Sequence, residues 1–127
     1  MSWTHSATRE YAPDLSNIAQ ARRWLTHELA AGLHAPANLV ADVELVLSEL
    51  LTNAIKAGAS RVSVELNADS ERILLTVADD AAGRVVLRTP TADAPSGRGL
   101  PIVELISSAW GVDTRRAGKK VWATFAT

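Results

Sequence analysis

The spacing of apolar residues changes once along this chain, and the change restricts the kind of fold it can form. Between residues 15 and 57 apolar side chains recur every three or four positions, and from 62 to 77 they recur every second position. The first spacing belongs to helices with one buried face, the second to strands with one buried face. Asp14 is placed to cap a first helix of roughly 15–19 residues ending near Gly32, with the stripe Leu15, Ile18, Ala21, Leu25 and Leu29. Pro36 breaks the chain. A second helix is expected from about Leu39 to Ala57, burying Val43, Val46, Leu47, Leu50 and Ala54, with Gly58 just past its end. Val62, Val64 and Leu66 then alternate with Arg61, Ser63 and Glu65, and Ile73, Leu75 and Val77 form the next inward face; Asn67-Ala68-Asp69-Ser70 is the turn between them.

Residues 80–98 carry Gly, Pro, Ser, Thr and Asp without a sustained period, and a loop of that length in a small domain is expected to serve function. Leu100 to Ala109 is helical by pattern, and strands at about 110–116 and 120–126 follow, joined through Ala117-Gly118-Lys119. Residues 1–12, with Trp3 and Tyr11 as anchors, suit an edge strand or a loose arm, and the pattern does not choose between them. The economical packing is a two-layer α+β sandwich: a mixed, mostly antiparallel sheet of four or five strands with three main helices on one face.

Length and charge narrow the functional classes. A chain of 127 residues suits one domain with its own core. The net charge of −1 gives no general attraction for nucleic acid or an anionic membrane. With no cysteine, disulfides, thiolate metal sites and cysteine nucleophiles are excluded. The first eleven residues lack the apolar stretch of a secretory signal, and no apolar run is long enough for a bilayer, so a cytoplasmic location is expected.

Three polar features stand out from this background. Glu49, Asn53 and Lys56 fall within an arc of about 60° on the second helix, at the margin of its apolar stripe. They suit either the rim of a cleft or an ordinary solvated stripe. Asp79 continues the parity of Ile73, Leu75 and Val77, so it points to the helix side at a strand's end. It either accepts a hydrogen bond from a ligand or caps the following turn. Gly97-Arg98-Gly99 then leads into a helix opened by Leu100-Pro101, where free N–H groups favour phosphate. A hard cation, a base edge and a polyphosphate would each find a partner in this set.

In combination these runs resemble the GHKL superfamily of ATP-binding domains (the Bergerat fold), in the branch of bacterial anti-sigma factors that are also serine kinases. Glu49-Leu50-Leu51-Thr52-Asn53-Ala54 resembles that family's N-box, Gly97-Arg98-Gly99-Leu100 its second glycine box, and Gly118-Lys119-Lys120-Val121-Trp122 its closing strand. The similarity spans residues 14–126. It implies ATP and Mg²⁺ as cofactors, with Asn53 as the metal ligand. Glu49 would orient or deprotonate the attacking group, and Asp79 would accept from the adenine amino group. Lys56, Gly97, Arg98, Gly99 and Leu100 would lie around the nucleotide, and residues 80–98 would cover it. It also implies a sigma factor and an antagonist protein as partners; with an exposed Trp3, the N-terminal arm and the open sheet face are expected to support a homodimer. The chain departs from the family where Asp79-Asp80-Ala81 replaces Asp-x-Gly, and where Lys56-Ala57 replaces a common Arg-His pair. Those departures keep open a non-catalytic partner-switch module, and plain ATP hydrolysis is a third reading.

The remaining polar residues suggest little chemistry. His5, His27 and His34 lack metal-ligand spacing and are expected at the surface or in loops. Arg22-Arg23 and Arg115-Arg116 read as solvated charges, and Trp24, Trp110 and Trp122 as core or interface anchors.

Overall fold

In a computed structural model the described residues are 3–33, 35–81 and 99–127. Their order is β1 (His5–Tyr11), a 3-10 turn (Leu15–Asn17), α1 (Ile18–Leu33), α2 (Ala37–Lys56), β2 (Val62–Ala68), β3 (Arg72–Asp79), α3 (Gly99–Ile106), β4 (Ala109–Arg115) and β5 (Gly118–Ala126). The strands form one five-stranded sheet in the order β1-β2-β3-β5-β4. All four pairings are antiparallel. The N-terminal segment is therefore an edge strand, hydrogen-bonded to β2 from His5↔Ala68 to Tyr11↔Val62.

The strict alternation of β2, β3 and β5 makes the two-layer architecture. Val62, Val64 and Leu66, then Ile73, Leu75 and Val77, then Val121, Ala123 and Phe125 are buried on one face. Leu25 and Leu29 of α1 and Val43, Val46 and Leu47 of α2 close over them with no exposure. α2 touches β2, β3 and β5, α1 touches β1 and β2, and α3 packs on α2 and β4. Burying each of these aliphatic side chains contributes about 1.5–3 kcal/mol. The opposite sheet face carries Glu65, Leu74, Thr76, Lys120, Trp122 and Thr124.

Several boundaries differ from the sequence expectation, each for a local reason. Asp14 does cap, accepting from the Ser16 N–H at 2.9 Å, but the first turn is 3-10 and α1 begins at Ile18. The β2–β3 turn is shorter than expected: Asn67 and Ala68 complete β2, and Asp69 organises the reversal, its N–H donating to the Arg72 carbonyl at 3.0 Å and its Oδ1 accepting from the N–H groups of Glu71 and Arg72 at 2.8 and 2.9 Å. α3 stops at Ile106, because the Ser108 N–H donates across to the Thr124 carbonyl at 2.7 Å and Ala109 joins β4. The β4–β5 connection is Arg116-Ala117, with Gly118 already paired to Arg115. His5 is not a loop residue. It lies in β1, Nε2 sits 2.8 Å from Glu28 Oε2 on α1, and its ring covers Gly32, where an added Cβ would lie 2.7 Å from the ring. Trp3, expected exposed, is half-buried with the Arg72 guanidinium 5.1 Å from its ring centre.

Three hydrogen bonds tie the approach to β2 to the end of β3. Asp80 Oδ1 accepts from the backbone N–H groups of Ser60 and Arg61 at 2.8 and 2.9 Å, and its second oxygen accepts from the Ser60 hydroxyl. On the other side of β3, Gly118 has φ +117°, and a Cβ there would lie 1.9 Å from the Asp79 carbonyl oxygen.

These contacts have measurable consequences. Gly118→Ala is expected to lose roughly 3 kcal/mol or more in urea unfolding, because strained φ and backbone overlap act together. Gly58→Ala, at φ +85° with open space around it, is expected to lose only about 1 kcal/mol. The Ser60 hydroxyl and the Arg61 N–H lower the Asp80 pKa from 3.8 to about 2. Because the folded value lies below the unfolded one, this stabilisation is complete above pH ~4 and is lost as the pH falls toward 2. Asp80→Asn is expected to flatten that part of the pH–stability curve, read as the denaturation midpoint between pH 5 and 2.

Candidate functional site

The last two turns of α2 hold an unusual pair of side chains. Leu50, Leu51 and Ala54 are buried in the core, while Glu49 and Asn53, one turn apart, are half-buried beside them. Ser48 and Thr52 satisfy themselves by donating to the Glu44 and Ser48 carbonyls at 3.0 and 2.7 Å. Glu49 and Asn53 have no side-chain partner among the described residues, and neither does exposed Lys56. A half-buried carboxamide without a partner leaves a carbonyl oxygen and two N–H groups for something else.

α2 then stops abruptly. The Gly58 N–H donates to the Ile55 carbonyl at 3.1 Å, and the Ala59 N–H donates to the Ala54 carbonyl at 3.3 Å. With Gly58 in the left-handed region, this is a Schellman ending. It turns the chain directly into Ser60 and Arg61, whose N–H groups are held by Asp80. The C-terminal end of α2 is thereby fastened to the tip of β3.

Asp79 lies at that tip, facing the helix side as its parity requires. Its side chain is 1 % exposed. Lys119, its partner in the β3–β5 register, places Nζ 2.9 Å from Oδ2 and 3.1 Å from Oδ1 with its own side chain 5 % exposed. Oδ1 also accepts from the Ala81 N–H at 2.9 Å. Asp79 thus faces inward and also caps the turn that leaves the strand, which is one of the two sequence alternatives. Ala81, where a glycine was expected, is itself buried.

α3 enters from the other direction. The pocket of about 300 Å³ between Leu39 and Asp42 of α2, Ile106, Ser108 and the final residues of β5 shows that the N-terminal end of α2, the C-terminal end of α3 and the far end of β5 lie together. The start of α3 therefore points back toward the end of the molecule that holds the C-terminal turns of α2, Asp79 and Lys119. Gly99 and Leu100 open that helix; Gly97, Arg98 and nearly all of the expected covering loop (residues 82–98 of 80–98) lie outside the described residues. Asp80 and Ala81 follow β3 directly and are among the described residues.

Sequence reasoning missed Lys119, which it placed in the connection between the last two strands and in the run resembling a closing strand. The signal was present: Lys119 shares parity with Val121, Ala123 and Phe125, so its side chain had to enter the buried layer. Among the described residues no group of three or more His, Asp or Glu side chains could hold a metal by itself, and no helix is long and apolar enough to cross a membrane.

The crystal structure of the RsbU and RsbW domains of Rv1364c from Mycobacterium tuberculosis superposes with a TM-score of 0.69 at 16% identity, over 96% of this chain. The chain spans 32% of that longer one, and the likeness concerns the fold. No curated protein sequence matches. The model of the histidine kinase-like ATPase domain matches residues 11–125. The chain belongs to that family, and is an ATP-binding module of its kind.

Proposed function

We propose that this chain binds Mg-ATP at the end of the molecule where α2, β3 and α3 meet, and acts as a regulatory serine/threonine protein kinase of the anti-sigma factor type. The observation that carries the reading is half-buried Asn53, whose side chain has no partner among the described residues, held at the same end as buried Asp79 and the opening of α3. The donor chemistry fits the metal. Asn53 offers one hard oxygen, and Mg²⁺ keeps several waters and takes phosphate oxygens for the rest. Bound there, the ion would supply neutralisation of phosphate charge.

The remaining roles fall to the chain's own residues. Glu49, one turn before Asn53, would orient the attacking hydroxyl or accept its proton. Asp79 would accept from the adenine amino group through the oxygen capacity that Lys119 and Ala81 leave. The N–H groups at the start of α3, with Gly97, Arg98, Gly99 and Leu100, would hold phosphates, and Lys56 stands at the rim. Phosphoryl transfer is mostly positioning and charge neutralisation, so so small a set is sufficient. A sigma factor and its antagonist as partners follow from the sequence resemblance alone.

One observation favours a second reading, a partner switch with a weakened nucleotide site. Lys119 and the Ala81 N–H already occupy much of the Asp79 carboxylate.

Calorimetry separates the two readings. The wild type is expected to bind Mg-ATP with micromolar to sub-millimolar affinity, and Asn53→Ala to lose at least about tenfold, or ~1.4 kcal/mol. No heat from the wild type would select the switch. Glu49→Gln is expected to keep nucleotide affinity within about twofold while transfer to a protein acceptor falls by about a hundredfold or more. Phosphate release unaffected by an acceptor would instead indicate plain hydrolysis.

A further inference from the structure

The Asp79–Lys119 pair is more than a satisfied buried charge. The ammonium lies between the two carboxylate oxygens, 2.9 and 3.1 Å away, and Oδ1 takes the Ala81 N–H as well. Each carboxylate oxygen has two acceptor positions, so these bonds leave one on Oδ2. An ammonium has three N–H groups, and Asp79 is its only side-chain acceptor among the described residues. Among the described residues the pair therefore keeps one acceptor and one donor without a partner at the tip of the central strands.

A neutral amino group does not displace an ammonium from a carboxylate, because the charge-assisted bond is roughly twice as strong. A base that reaches Asp79 must join the pair. The geometry points to Lys119 as a second base-reading residue: Asp79 accepts from the amino group of adenine while Lys119 donates to the adjacent ring nitrogen, N1. This inference rests on the nucleotide reading above and deepens it. It also gives a reason for a long cationic side chain on the buried face of β5, in register with Asp79.

The test uses a ligand altered at one atom. In 1-deaza-ATP a C–H replaces N1 and the amino group is kept. The intact wild-type chain is expected to bind Mg-ATP about tenfold more tightly than 1-deaza-ATP, and Lys119→Met to bind the two equally. Because that variant leaves the Asp79 carboxylate buried without its cation, melting is checked first. If it does not fold, the double variant Asp79→Asn/Lys119→Met removes both charges and is expected to show the same loss of preference. Equal binding of both nucleotides by the wild type overturns the inference and leaves the nucleotide site standing. Persistence of the preference in a folded variant overturns it too. Binding of neither nucleotide overturns the inference together with the site.

Discussion

A carboxylate on the inward face of a central strand is the constraint around which this fold is arranged. Asp79 sits where Ile73, Leu75 and Val77 would lead one to expect another aliphatic residue, and its side chain is 1 % exposed. Left alone, such a charge would cost several kcal/mol. The structure answers from both directions: β5 brings Lys119 across the register, and the chain leaving β3 returns the Ala81 N–H. Both answers require backbones to come close. Gly118 meets the Asp79 carbonyl at a distance that no side chain permits, so glycine and lysine at 118 and 119 work as a unit.

The same strand tip controls where α2 ends. Asp80 points the other way from Asp79 and holds Ser60 and Arg61, and the Schellman turn at Gly58 leaves only a few residues between that anchor and the helix. Asn53 is therefore positioned by a short, fully bonded connection. Adjacent carboxylates at the end of one strand divide the labour, Asp80 fixing the frame and Asp79 remaining in the buried layer. The proposed site would rest on a helix and strands whose positions the core already determines, which is the arrangement that holds functional groups most accurately.

Much of this was legible in the sequence, because the signals were periodic. The stripes of α1 and α2 and the alternation of β2 and β3 named most of the core, including Leu25, Leu47 and Leu75. The inward direction of Asp79 followed from the same parity. What escaped depends on partners distant in sequence. No local pattern shows that Thr4 to Tyr11 would find β2, that Asp69 rather than Asn67 would make the turn, or that His5 would sit over Gly32 and against Glu28. Lys119 lies forty residues from Asp79, and its role appears only once the register of β3 and β5 is known. Family resemblance supplied the joint meaning of Asn53, Asp79 and the Gly97–Leu100 run; of these, the fold holds Asn53, Asp79 and the start of α3 at one end.

The central claim is that these groups form one site for a magnesium-bound nucleotide. Titrating the ¹⁵N-labelled chain with Mg-ATP and following its backbone amide resonances examines that claim most directly. The account predicts that the largest shifts fall together at residues 49–57, 79–81, 99–103 and 118–119, with the outer sheet face around Thr76 and Trp122 little changed. Shifts centred on that outer face, or scattered without a cluster at the tip of β3, would contradict it.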